Sequence, residues 1–134
     1  MYDRCYTPRL ARKALHFVRP ATERICALYR RLEQAHPRRV VPDERVEPAY
    51  FRLLRELQSL LDGLASAGVQ VKDPRRGMID FPARRAGRQV WLCWKVGESS
   101  VEYWHEMEEG LAGRRPIDDD GPWQEAPGRL EIPG

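Results

Sequence analysis

Two apolar seams followed by a change of period constrain this chain more than any other feature. Ala14, Val18, Ala21, Ile25, Leu28 and Leu32 recur at alternating spacings of four and three, the signature of one face of an α-helix. Tyr50, Leu54, Leu57, Leu61 and Leu64 repeat that spacing. From Val69 the apolar period drops to two, as in a β-strand with one buried face. Two helices of similar length, joined by a polar, proline-bearing connector over residues 37–47, predict an antiparallel hairpin.

Local signals set the expected boundaries. Thr7-Pro8 supplies a capping hydroxyl and then proline at the first helical position. Pro20 lies inside the first seam, which predicts a kink there or a helix that begins in earnest near it. His36-Pro37 ends it. Arg9, Arg12 and Lys13 sit near the amino end, where the helix dipole disfavours cations. Either local stability is sacrificed or an anion, such as the acidic tail, sits there. The second helix is expected over Glu47–Ala67, with Leu53 and Leu60 widening its stripe and Gly68 stopping it.

Strands are expected over Val69–Asp73, over Met78–Phe81 with Pro82 closing it, and over Arg88–Val96, with turns at residues 73–77 and at Ala86-Gly87. The longest strand puts Val90, Leu92, Trp94 and Val96 on one face and Gln89, Trp91, Cys93 and Lys95 on the other. Large aromatics on both faces imply that both are covered, one by the helices, the other by the C-terminal segment or a second subunit. Ser99-Ser-Val-Glu102 matches a capping box and predicts a short helix over Val101–Glu109, although Val101, Tyr103, His105 and Met107 also alternate as a strand would. Residues 118–134, rich in proline, glycine and acid, are expected to form a flexible tail. The expected fold is α+β: an antiparallel two-helix hairpin on a three-stranded antiparallel sheet, with a short C-terminal helix and that tail. One domain is expected over residues 1–117, comprising hairpin 8–67, β unit 69–96 and terminal segment 98–117.

Composition narrows the class. At 134 residues roughly two-thirds of the unfolded surface can be buried, so folding requires no metal or disulfide. Cys5, Cys26 and Cys93 are odd in number and form no CxxC pair, which fits a reducing compartment. No apolar run approaches the ~20 residues that span a bilayer, and the N-terminus has no signal-peptide core. A cytoplasmic protein without a membrane partner is expected. Residues 1–95 carry 20 basic and 10 acidic side chains, and residues 96–134 carry 3 and 10. Either the acidic end folds back on the basic body or across a dimer interface, or the body offers its charge to an anionic partner. The part of the helical seam left exposed points to a homodimer.

Several stretches occur together in order: Gly68-Val-Gln-Val-Lys-Asp73, Gly77-Met-Ile-Asp-Phe-Pro-Ala83, Gly87-Arg-Gln-Val-Trp-Leu-Cys-Trp94, Gly97-Glu98, Tyr103-Trp-His-Glu106 and Gly113-Arg-Arg-Pro116. With Tyr6-Thr7-Pro8, Ala11 and Phe17-Val18-Arg19-Pro20, they make the chain resemble a bacterial family of uncharacterised proteins, domain-of-unknown-function family 2203, over roughly residues 6–117. Arg9 and Leu10 stand where family members often carry glutamates, and the tail after Pro116 looks private to this chain. The resemblance implies a small intracellular protein and brings no established activity.

The chemistry-bearing pattern is Glu102-x-x-His105-Glu106-x-x-Glu109. On a helix all four side chains would share one face, and a Glu-x-x-His pair is the unit of carboxylate-bridged metal sites. Imidazole with carboxylates suits zinc, iron or manganese. Asp80, Glu98 and Cys93 are the candidate extra donors. The plainer alternative is a solvated acidic face. Glu33-x-x-His36 is a second such pair, at a helix end. His105 beside Glu106 is a candidate general acid/base or a structural histidine. Cys93 is a candidate nucleophile with His105 as its base, or a buried inert thiol.

Arginine pairs at 30–31, 38–39, 75–76, 84–85 and 114–115 raise a further reading. Arg84, Arg114 and Trp91 are candidates for holding a cofactor or anionic ligand, RNA included, by phosphate contacts and stacking, against a reading as solvated edge protection. No nucleic-acid motif, P-loop, GxGxxG, GxSxG or HExxH is present. Three functions therefore stay open: a non-catalytic binding or interaction module, a metal-binding protein or metalloenzyme around His105, and an anion or nucleic-acid binder. All require the Asp80, Cys93 and His105 stretches to share one neighbourhood.

Overall fold

The computed structural model describes residues 5–35 and 46–125. The first seam folds as one helix, α1 (Pro8–Ala35), which runs through Pro20 instead of beginning near it. Pro20 is exposed, so its ring faces solvent away from the seam. Thr7 Oγ1 accepts the Leu10 N–H at 3.2 Å, satisfying one of the donors a helix start leaves open. The second seam folds as α2 (Val46–Ser66). His36-Pro37 and most of the connector lie outside the described residues. No described helix is long and apolar enough to cross a membrane.

The sheet is larger than expected. Among the described residues six strands replace three: β1 (Gln70–Asp73), β2 (Met78–Arg85), β3 (Arg88–Lys95), β4 (Tyr103–Glu106), β5 (Arg115–Pro116) and β6 (Trp123–Gln124). The order is β1-β2-β3-β4-β5, and β6 pairs with the far end of β2 on the edge it shares with β1. The C-terminal helix expected over Val101–Glu109 is instead strand β4, antiparallel to β3. Alternation prevails over the capping pattern because Trp104 reaches the core cluster on one face while His105 is buried on the other. Within the expected flexible tail, Trp123 and Gln124 form β6; residues 126–134 lie outside the described residues.

Pro82 does not close β2, which continues to Arg85. The Pro82 carbonyl accepts the Tyr6 N–H at 2.7 Å, so this residue's polar groups point away from β3. The missing proline N–H therefore costs the β2–β3 ladder nothing. Ala86 and Gly87 both have positive φ (51° and 78°), as the tight hairpin turn between β2 and β3 requires. Gly77 is also constrained: its φ is +70°, and an added Cβ would lie 2.3 Å from Val96 Cγ2.

The helices cover one face of the sheet. Ala11, Ala14, Leu15, Val18, Ile25 and Leu64 form a core with Ile79, Phe81, Leu92, Trp94 and Trp104. Tyr6 locks the layers, packing edge-on against Phe81 and donating its hydroxyl to the Ala67 carbonyl at 2.7 Å. The opposite face carries Asp80, Trp91, Cys93 and His105, and it too is buried. The same chain covers it, since residues 107–111 line a pocket with β1, β2 and Asp80, and Arg114 lies over the Tyr103 ring at 4.2 Å.

The acidic end folds back on the basic body. Asp119 meets Arg12 at 2.8 Å near the amino end of α1, Asp118 meets Arg85 at 2.7 Å, and Glu106 pairs with Arg88. Arg85 is also held over the rings of Trp104 and Trp123, at 4.8 and 5.4 Å. These contacts fix the returning segment that places β6.

Candidate metal centre

Register builds the site. Asp80 on β2 is the cross-strand partner of Cys93 on β3. Cys93 is in turn opposite Tyr103 on β4, and Trp91 is opposite His105. Side chains two apart on a strand share a face, so His105 lies diagonal to Cys93 and the three donors gather on one face. A carboxylate oxygen, a thiol sulfur and a ring nitrogen all lie within 4.8 Å of one another, and all three residues are buried.

His105 Nε2 is 2.9 Å from Asp80 Oδ2, and Nδ1 is 2.8 Å from the Glu106 carbonyl. A carbonyl only accepts, so Nδ1 carries a proton and Nε2 is the nitrogen turned to the cluster. Burial works against the charged ring, but the hydrogen bond and charge of Asp80 outweigh it and raise the His105 pKa. Burial and then the Asp80 charge push the Cys93 thiol up to about 12, so it is a neutral thiol at physiological pH. Asp80 Oδ1 is buried with no hydrogen-bond partner.

The family comparison joins this geometry to the motifs that build it. The model of an uncharacterized conserved protein, DUF2203, matches residues 4–117, a span that includes all three donors. The chain belongs to this family. No curated protein and no solved structure matches it.

In this DUF2203 chain the other sequence candidates are dispersed. Because residues 103–106 are strand and not helix, Glu102, His105, Glu106 and Glu109 do not share a face. Glu102 is exposed, and Glu106 pairs with Arg88. Glu109 accepts the Glu106 N–H and pairs with Arg115, contacts that hold its pKa below the usual carboxylate range. Glu98 receives the Lys95 N–H and both Arg114 terminal nitrogens. Glu33 pairs with Arg75 at 3.4 Å, and His36 lies outside the described residues.

Of the two arginine candidates, Arg114 holds structure. Arg114 stacks on Tyr103, reaches the Cys93 carbonyl at 3.4 Å and chelates Glu98, while Arg84 is placed by its backbone, between Gln89 of β3 and Gln124 of β6. Trp91 and Trp94, the rings that base stacking would need, are each 1% exposed. Two features went unread in the sequence. Lys72 places its ammonium 4.2 Å above the Trp91 ring, and Arg114 braces the backbone at Cys93. The period-two run Val69-Gln-Val-Lys72 held the first signal, since it ranks Lys72 with Gln70, the partner of Asp80.

Proposed function

We propose that this protein binds one divalent metal ion, zinc by its donor set, through Asp80 Oδ, Cys93 Sγ and His105 Nε2. The observation that carries the reading is the convergence of three different metal-binding side chains, within 4.8 Å, in a buried place that leaves Asp80 Oδ1 without a partner. The Nδ1 contact to a backbone carbonyl is the outer contact that ordinarily orients a zinc-binding histidine. Charge supports a divalent ion. One carboxylate, one thiolate and one neutral imidazole balance a 2+ charge, so a buried centre carries no net charge. Three protein donors leave a fourth position open, the donor count of catalytic zinc sites, whereas structural zinc sites are closed by four protein ligands.

The same geometry argues against Cys93 as a nucleophile served by His105. Both ring nitrogens already face oxygen partners, and the thiol is held far from its thiolate. Elemental analysis of purified protein is the test: about one zinc per chain in wild type and none in His105→Ala. Metal-free wild type, or His105→Ala that keeps its metal, rejects the proposal and leaves Asp80–His105 as a structural ion pair.

A further inference from the structure

A pocket of about 370 Å³ opens over Asp80, between β1, β2 and the segment 107–111. That volume is within the range of small-molecule sites. Its floor is Asp80, and Met78, Met107 and Leu111 give it apolar walls. The pocket's charges are mostly spoken for: Arg76 pairs with Asp73 at 3.7 Å and Glu109 with Arg115 at 2.8 Å, while Glu108 is exposed. Lys72 differs. Its ammonium is held over Trp91, and no carboxylate lies within ion-pair distance of it among the described residues. An exposed cation, resting on the Trp91 ring, thus stands over a pocket whose lining includes Asp80, one of the proposed ligands.

We propose that this pocket binds a small organic carboxylate, one oxygen taking the open metal position and the charge lying against Lys72. An apolar body of a few carbons fits the methionine and leucine walls, and the carboxylate supplies the negative charge that Lys72 lacks. The proposal rests on the metal reading above and adds the ligand that the open position takes.

Cobalt(II)-loaded protein tests it, because the visible bands of cobalt report both its binding and a change of its fourth ligand. Titration with butyrate is expected to shift those bands saturably, with acetate binding more weakly for want of apolar contact. Lys72→Met keeps the stem on Trp91 and removes the charge. It is expected to weaken butyrate about fivefold, the scale of one partly exposed charge contact, with cobalt binding unchanged. Cobalt that binds but whose spectrum ignores carboxylates up to roughly 100 mM overturns the carboxylate site and leaves the metal centre standing. Inorganic phosphate binding as tightly as butyrate, or Lys72→Met binding butyrate as wild type does, also overturns it. Failure of cobalt to bind overturns both readings at once.

Discussion

His105 Nε2 and Asp80 Oδ2 meet at 2.9 Å on the sheet face away from the helices, where the two side chains are 2% and 0% exposed. The pair joins β2 to β4 across the intervening β3, and it sets the behaviour of the metal-free protein. Removing one member leaves the other buried and uncompensated, which costs about 3–5 kcal/mol. Asp80→Ala is expected to lose stability on that scale in urea denaturation of the chelator-treated protein. A loss below about 1 kcal/mol would show that the pair contributes little.

The pH dependence has a definite sign. His105 titrates at higher pH in the folded chain than in the unfolded one. Its contribution is therefore complete below the unfolded value of about 6.5 and is lost as pH rises through the folded value. Metal-free wild type is expected to lose stability over that interval on going alkaline, and Asp80→Asn is expected to flatten the profile. A wild-type profile that rises there instead contradicts the assignment.

Cys93 is expected to be inert. With its thiol at about 12, the thiolate fraction at neutral pH is about three orders of magnitude below that of a free cysteine, and burial blocks access as well. Mass spectrometry after brief iodoacetamide treatment at pH 7 is expected to find Cys93 unmodified in folded protein and alkylated in urea. Rapid alkylation of the folded chain would restore the nucleophile reading.

How much of this was legible in the residues depends on the range of the interaction. The 4-3 seams and the period-two run encode contacts that each segment makes along its own length, so both helices and β1 to β3 could be read directly. Residues 101–109 carried two periods at once, and pairing with Val90–Cys93 decided between them. That choice also dissolved the four-residue acidic face and left His105 with Asp80 and Cys93. Those two were readable as donors by chemistry, but the register that sets them opposite each other belongs to the ladder. Strand β6 rests on Arg85 held between Trp104 and Trp123, a contact between distant parts of the chain that no local pattern announces.

Arg114 braces the site from outside. It holds Glu98 through two contacts of 2.6 Å, with side chains only 12% and 19% exposed. Arg114→Met is expected to cost about 2–4 kcal/mol in urea denaturation, since it strands the Glu98 carboxylate. Arg114→Lys is expected to recover less than half of that, because an ammonium cannot match the two-pronged contact or the Tyr103 stack. Full rescue by lysine would reduce the role of Arg114 to charge alone.

X-ray absorption at the zinc edge of zinc-loaded protein reads the donor set itself. One sulfur at about 2.3 Å with nitrogen or oxygen neighbours at about 2.0–2.2 Å is expected, the sulfur vanishing in Cys93→Ala. A first shell of nitrogen and oxygen alone in wild type would place the metal elsewhere and contradict the centre formed by Asp80, Cys93 and His105.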